Sequence, residues 1–250
     1  MFEAYMEDVS LLRDSIATIS ELIDETELHL GKDGIKMVAS DRTVVAVVDF
    51  FLSKNSFIEY NCEKDIKIGI NLLNLLQILR RAKPDDSLRI KLTDNSLNIT
   101  LESNMKRDFT LPLIAISKED VPNLEKIDEG FSAHFEMDSE ALSHGFDDAE
   151  LITDSVIFTL RKDQIILNSQ SDSSSSQLEL KPGEWFKISN INEPVRARYS
   201  LDYLKKMIKA KKLSQWAKIS MATDYPIKFQ FSVPNKMQMN FILAPRVEEG

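Results

Sequence analysis

The segment from Asp8 to Ala39 recurs without insertion or deletion 130 positions downstream, so the chain reads as one structural unit built twice. Asp8 aligns with Asp138, Leu12 with Leu142, Asp24 with Asp154, Leu30 with Leu160, Lys32-Asp33 with Lys162-Asp163 and Ile35 with Ile165. The apolar positions between these identities also correspond: Ile16 with Phe146, Leu22 with Ile152, Leu28 with Phe158 and Met37 with Leu167. The match resumes at an offset of 129 or 130, pairing Asn71-Leu72 with Ser200-Leu201, Leu75 with Leu204, Leu79 with Ile208, Leu97 with Ile227, Ile99 with Phe229 and Leu111 with Phe241. Apolar side chains kept at matching positions imply one core architecture used twice, in halves of about 115 residues, an ordinary domain size.

Helical spacing of apolar residues marks Asp8 to Asp24, Asn71 to Lys83, Asp138 to Leu151 and Ser200 to Lys212, and most of the remainder alternates with period two. The expected order is strand, helix, three strands, helix, three or four strands. That pattern predicts an α+β protein with helices on one face of antiparallel sheets. Residues 115–130 are polar and acidic, contain Pro122 and lack sustained periodicity, which suggests a linker between domains at 1–114 and 131–250. Ser171 to Ser176, with five serines, reads as a hairpin turn.

The 250 residues are 43% apolar and 28% charged, enough to build two soluble cores. No apolar run approaches bilayer-spanning length, and Met1-Phe2-Glu3-Ala4 lacks the basic-then-apolar order of a signal peptide, so an intracellular protein without membrane association is expected. Cys62 is the single cysteine, excluding an internal disulfide. His29, His134 and His144 lie in separate elements without metal-ligand spacing, and the 7 glycines form no phosphate-binding loop; no cofactor or metal is expected. One enzymatic alternative remains open, a metal-dependent nuclease using the acidic cluster Asp147, Asp148 and Glu150. A solvated acidic face at a helix end explains the same residues more simply.

The net charge of -9 argues against a surface that coats nucleic acid, but the cations are segregated. Lys205, Lys206, Lys209, Lys211 and Lys212 crowd the last helical segment, while Arg80, Arg81 and Lys83 occupy the equivalent place in the first half. In the last segment Leu201, Leu204 and Ile208 form an inward stripe, which puts Lys205, Lys209 and Lys212 on the opposite face at i, i+4 and i+7. Asn71 and Ser200 are expected to cap these two helices. Equivalent cationic helices in a protein acidic elsewhere suggest a basic surface facing phosphates, and the scarcity of interleaved aromatics favours duplex backbone over stacked single strands. Phe109 and Leu111, with Leu113, alternate on one strand and Leu178 and Leu180 on another; as sheet edges they would pair head to tail with a second chain and could close a ring.

With these features the chain resembles the sliding clamps of the proliferating cell nuclear antigen family, of the archaeal type, over nearly its full length. The resemblance is carried by Met1-Phe2-Glu3-Ala4, by Asp33 to Asp41 followed by Val44 to Val48, by the Asn71-Leu72 helix start, and by the ending Leu243-Ala244-Pro245-Arg246-Val247-Glu248-Glu249. It implies a trimeric ring, homomeric or shared with paralogues, whose helices line a hole for duplex DNA and whose sheets lie outside. It further implies sequence-independent phosphate contacts by Arg13, Arg80, Arg81, Lys83, Lys205, Lys206, Lys209 and Lys212, and a subunit interface of Met105 to Leu113 against Ser176 to Lys181. Partners implied are a clamp loader, DNA polymerase, flap endonuclease and DNA ligase, in the cytoplasm and nucleoid of an archaeon or the nucleus of a eukaryote. Their short peptides would enter a pocket of Ser40, Val44, Val45, Val47, Leu124, Ile127, Pro226, Ile242, Ala244 and Pro245, with added hydrogen bonds from Ala244 to Val247. The expected function is a non-enzymatic processivity factor, with a checkpoint-type clamp relative as a further alternative. Arg13 is the only cation in the first helical segment and His144 lies near Asp147 and Asp148 in the third, so the lining is expected to be unevenly basic.

Overall fold

The computed structural model describes residues 1–117, 121–191 and 193–246; Lys118 to Asp120 of the expected linker and Val247 to Glu249 of the diagnostic ending lie outside the described residues. The chain forms two compact units, the first of Met1–Asp41, Val48–Asp120 and Ser232–Met239, the second of Arg42–Val47, Val121–Phe231 and Asn240–Gly250.

The first half runs β1 (Phe2–Met6), α1 (Ser10–Ile19), β2 (Glu25–Gly31), β3 (Gly34–Ser40), β4 (Ala46–Ser53), β5 (Glu59–Cys62), β6 (Ile66–Asn71), α2 (Leu72–Leu79), β7 (Ser87–Leu92), β8 (Ser96–Glu102) and β9 (Lys106–Pro112). After a short helix α3 (Leu124–Glu129), the second runs β10 (Ala133–Asp138), α4 (Ser139–Glu150), β11 (Ser155–Leu160), β12 (Ile165–Gln170), β13 (Ser175–Leu180), β14 (Phe186–Ile191), β15 (Val195–Ser200) and α5 (Leu201–Met207). A 3-10 turn (Ile208–Lys212) then leads to β16 (Trp216–Met221), β17 (Ile227–Val233) and β18 (Met237–Leu243). The fold is α+β, and both halves repeat the same element order. Five strands separate the two helices of each half, where three were expected. The additional ones are short or polar, such as Glu59-Tyr60-Asn61-Cys62, and their alternation is too brief to register in a sequence window.

In unit 1 the strands order as β5-β1-β7-β8-β9 and as a run β4-β3-β2-β6; in unit 2 the run β13-β12-β11-β15 repeats the second of these strand for strand, beside a run β14-β10-β16-β17. The registers agree as well, since β2 pairs β6 from Glu25↔Asn71 to Leu30↔Ile66 and β11 pairs β15 from Ser155↔Ser200 to Leu160↔Val195. The duplicated aspartates explain one shared detail. Asp24 O accepts the Leu72 N–H at 2.8 Å and Asp154 O accepts the Leu201 N–H at 2.9 Å, so each second helix is tethered at its first turn to the connection that follows the first helix. The Ser171 to Ser174 stretch is the β12–β13 turn, closed by Ser171 N donating to Ser174 O at 2.8 Å.

The cores fill similar spaces with different side chains. Unit 1 packs Phe2, Leu12, Ile16, Leu28, Phe50 and Leu75 around an apolar gap of about 30 Å³. Unit 2 puts Phe146 and Phe158 at the places of Ile16 and Leu28, and Phe158 lies 5.7 to 6.4 Å from the rings of Tyr199, Phe146 and Phe229. Aromatic edge-to-face packing adds to area burial, so Phe158 gains ring contacts that Leu28 at the matching position cannot make. At the helix positions closest to the sheets the residues must be small. A Cβ on Gly145 would stand 2.9 Å from Leu167 and Leu178 side chains. Its counterpart, Ser15, is fully buried and its hydroxyl has no hydrogen-bond partner among the described residues.

Candidate functional site

The expected cationic surface exists in both units but is held in two ways. In unit 1, α2 buries Leu72, Leu75, Leu76 and Leu79, and the Asn71 side chain caps it by accepting the Asn74 N–H at 2.9 Å. The helix contains no charged residue; Arg80, Arg81 and Lys83 stand exposed on the turn that follows. That turn is anchored by buried Asp86, which accepts the Lys83 N–H at 2.6 Å and the Ser103 hydroxyl at 2.8 Å and pairs with Arg107. Arg107 also donates to Arg81 O at 2.8 Å. The Lys83 backbone N–H foremost, then Ser103 and Arg107, hold the Asp86 carboxyl below the usual carboxylate range. Arg13 on α1 is half-buried and bonded to Asp14 at 2.9 Å, so its charge is matched on its own helix.

In unit 2, α5 buries Leu201, Leu204 and Met207, then tightens into the 3-10 turn, which buries Ile208 and Ala210. Three residues per turn bring Lys209 and Lys212 onto one face, and both are exposed. Lys205, Lys206 and Lys211 are half-buried. Lys205 pairs with Glu150 and, at 3.3 Å, with Asp147; Lys206 bonds Asp202 at 2.7 Å; Lys211 bonds Glu140 at 2.9 Å and the Ser143 hydroxyl at 3.1 Å. The expectation of a wholly cationic face on α5 is therefore corrected, because α4 packs beside it and brings carboxylates within ion-pair reach. In the acidic cluster Asp147, Asp148 and Glu150 are all exposed, a solvated face, with Asp147 and Glu150 also engaged by Lys205; His144 is exposed beside them. The hydrogen bond to Glu150, followed by Asp147, raises the Lys205 ammonium above its ordinary value. Ser200 occupies the cap position of α5 without a side-chain capping bond, unlike Asn71. Its hydroxyl instead meets an Arg246 N–H at 3.5 Å, and Arg246 pairs with Asp154 at 2.8 Å.

The residues expected to form a pocket fall in two tied groups in unit 2, one at Val45 and Ala244 and one at α3 and Tyr225. Ala244 N donates to Val45 O at 2.9 Å, joining the residue before β4 to the residue after β18. Val44 is 53% exposed and has φ 56°, a left-handed conformation that a β-branched residue adopts only under strain. Helix α3, capped by Asn123, presents half-buried Leu124 and Ile127. The six residues of α3 span less than two helical periods, so apolar spacing does not mark this helix in the sequence. Tyr225 ties α3 down: its hydroxyl donates to Ile127 O at 3.4 Å, its ring packs edge-on to Phe131 at 5.7 Å, and Gly130 leaves room where a Cβ would stand 2.4 Å from the ring. Lys228 adds a bond to Asp128 at 2.7 Å. Phe131 and Tyr225 carry no signal in the sequence as site residues, because Tyr225 lies 98 positions beyond the Ile127 it bonds. Pro226, Ala244 and Pro245 are half-buried. Val47 and Ile242 are 3% and 4% exposed and serve the core, because inward-facing strand positions leave them no free surface. The backbone N–H groups of Ala244 and Arg246 are already used, the latter on Arg198 O at 2.7 Å, so within residues 244–246 the expected extra hydrogen bonds reduce to the carbonyls. Ser40 ends β3 in unit 1 and is half-buried.

The expected interface strands are both terminal in their sheets: β9 ends β5-β1-β7-β8-β9 and β13 ends β13-β12-β11-β15. Their side chains are partly committed inward. Leu111 is buried opposite Leu97, Phe109 is half-buried opposite Ile99, and half-buried Leu178 reaches Gly145 on α4. What the edges leave open is backbone, with Leu180 half-buried. His134 bonds the Ser220 hydroxyl at 2.9 Å, His29 lies 3.9 Å from Asp65, and among the described residues no three His, Cys, Asp or Glu are grouped to hold a metal ion. No helix among them is long and apolar enough to cross a membrane.

Residues 1–120 match the family model described as proliferating cell nuclear antigen, N-terminal domain, and residues 126–246 match that of its C-terminal domain. Relatives include the DNA polymerase sliding clamp of Methanothermobacter thermautotrophicus, 31% identical over 249 residues, and that of Thermococcus gammatolerans, 30% identical over 250 residues. That of Pyrococcus furiosus is 29% identical over 252 residues. Each alignment covers 99% of this chain and 99% of the relative.

Proposed function

Since the chain belongs to the proliferating cell nuclear antigen family, we propose that it is a DNA polymerase sliding clamp: a processivity factor that surrounds duplex DNA and tethers the polymerase to its template. The observation that carries this reading is the duplicated unit, whose second helix ends in exposed cations both times, Arg80, Arg81 and Lys83 in one and Lys209 and Lys212 in the other. Contacts from such side chains to phosphates carry no base information, so the protein holds any sequence and moves along it. Retention then depends on ring closure rather than affinity. The open backbone edges of β9 and β13 support closure by strand pairing between subunits into a trimer.

The Val44, Val45, Leu124, Ile127, Pro226, Ala244 and Pro245 cluster supports capture of short apolar peptides from polymerase, clamp loader, flap endonuclease and ligase, raising their local concentration at DNA. Buried side chains of such a peptide contribute about 1.5 to 3 kcal/mol each before binding costs. The protein works wherever the chromosome lies. The nuclease alternative loses its footing where Lys205 occupies Asp147 and Glu150.

Primer extension on primed circular DNA, with the cognate polymerase and loader, tests the proposal. Product length should rise sharply with this protein present, and Val45→Glu should remove that gain while the assembly keeps about three times the 28.6 kDa chain mass. Product lengths indifferent to the protein would reject it.

A further inference from the structure

Lysine count and available charge diverge on the α4–α5 pair. Helix α4 carries Glu140, Asp147, Asp148 and Glu150 and no lysine or arginine, giving -4. Residues 201–212 carry five lysines and Asp202, giving 5 - 1 = +4, so the packed pair sums to zero. In unit 1, Arg13 and Asp14 cancel on α1, and 72–83 carries Arg80, Arg81 and Lys83, so the equivalent sum is +3. The neutrality in unit 2 is built by contact. Lys205 is held between two carboxylates one helical turn apart on α4, Asp147 and Glu150, and is only 33% exposed.

We propose that Asp147 and Glu150 compete with DNA phosphate for Lys205, a built-in restraint on duplex attachment that rests on the clamp reading above. A phosphate reaching this lysine must displace both carboxylates and is repelled by them as it approaches. While Lys205 stays on its acids it neutralises no phosphate, and the salt dependence of binding lacks the contribution of one contact. Lys211, on Glu140, is restrained likewise, whereas Arg80, Arg81 and Lys83 keep a standing attraction. Light attachment of one unit suits a protein that must hold DNA and still slide.

The test is fluorescence anisotropy of a labelled duplex with the full chain across a salt series. Asp147→Asn with Glu150→Gln should tighten binding at low salt and steepen the slope of log affinity against log salt by about 0.9, one added phosphate contact. Lys205→Ala should change little in the unaltered protein and abolish the gain in the doubly amidated variant. A combined Arg80→Ala and Arg81→Ala variant should weaken binding and flatten the slope. If the arginine variant weakens binding while the amidated variant leaves the slope unchanged, or Lys205→Ala costs as much as losing one arginine, the competition is refuted and the clamp reading stands. If neither arginine nor lysine changes alter duplex binding, the DNA-facing assignment fails as well. Thermal melts check that each variant is folded, and Glu150→Gln alone replaces the pair should the double change melt early.

Discussion

In unit 1 the cations stand past the end of an uncharged helix, fixed there by Asp86, whereas in unit 2 they run along the helix and turn, with carboxylates from the neighbouring helix on two of them, Lys205 and Lys211, and one from the same helix on Lys206. Both arrangements descend from one repeat, whose tether from the duplicated aspartate to the second helix still coincides. Duplication has kept backbone geometry and let charge bookkeeping drift apart. The same divergence shows in the cores, where Ile16 and Leu28 of one copy stand as Phe146 and Phe158 in the other. A repeat in sequence thus guarantees matching architecture, while side-chain electrostatics have to be read from each copy separately.

The largest expected effect tests the core contrast. Phe158→Ala should cost about 3–5 kcal/mol in chemical denaturation, and Leu28→Ala, at the matching position, less, because unit 1 already tolerates a gap there. Equal losses would mean the two cores are equally well filled. Next, the Asp86 carboxyl titrates below its unfolded value near 3.8, so its contribution to stability is complete above that pH and fades as pH falls through the lower folded value. Asp86→Asn should lower the melting temperature by several degrees at neutral pH and shallow the decline below pH 3.8; an unaltered acid limb would show that the turn presenting Arg80 and Arg81 does not rest on this charge. A smaller effect is expected at Val44. Val44→Asn relieves the left-handed strain and should stabilise by about 1 kcal/mol. No gain in melting temperature would mean the loop bears no strain.

The smallest effect compares Ser15 with Gly145. Ser15→Ala removes a buried hydroxyl without a partner and should raise stability by about 1 kcal/mol or less. Gly145→Ala should fail to deliver the roughly 1 kcal/mol that helix propensity promises, because the added methyl meets Leu167 and Leu178. Similar gains at both positions would erase the distinction between the two helix approaches.

Much of this was legible in the chain itself. Identities such as Asp24 with Asp154 announced the repeat, and Asn71 announced its cap. Strands of four to six residues with polar faces, like β5 and β14, fell below the length at which alternation is diagnostic. Helix α3 was hidden for the same reason. Contacts across elements were harder: Lys205 and Glu150 are 55 positions apart, and only the packing of α4 beside α5 makes one the partner of the other. An acidic helix followed by a basic one was the available hint. Ile242 and Val47 read as pocket residues because apolar type does not tell a core position from a lining one; burial does.

The central claim is enclosure of duplex by chains built from this repeat. After loading onto nicked circular duplex and gel filtration in moderate salt, the protein should travel with the DNA, and cutting the circle should release it. Equal retention on cut and uncut DNA would contradict the account.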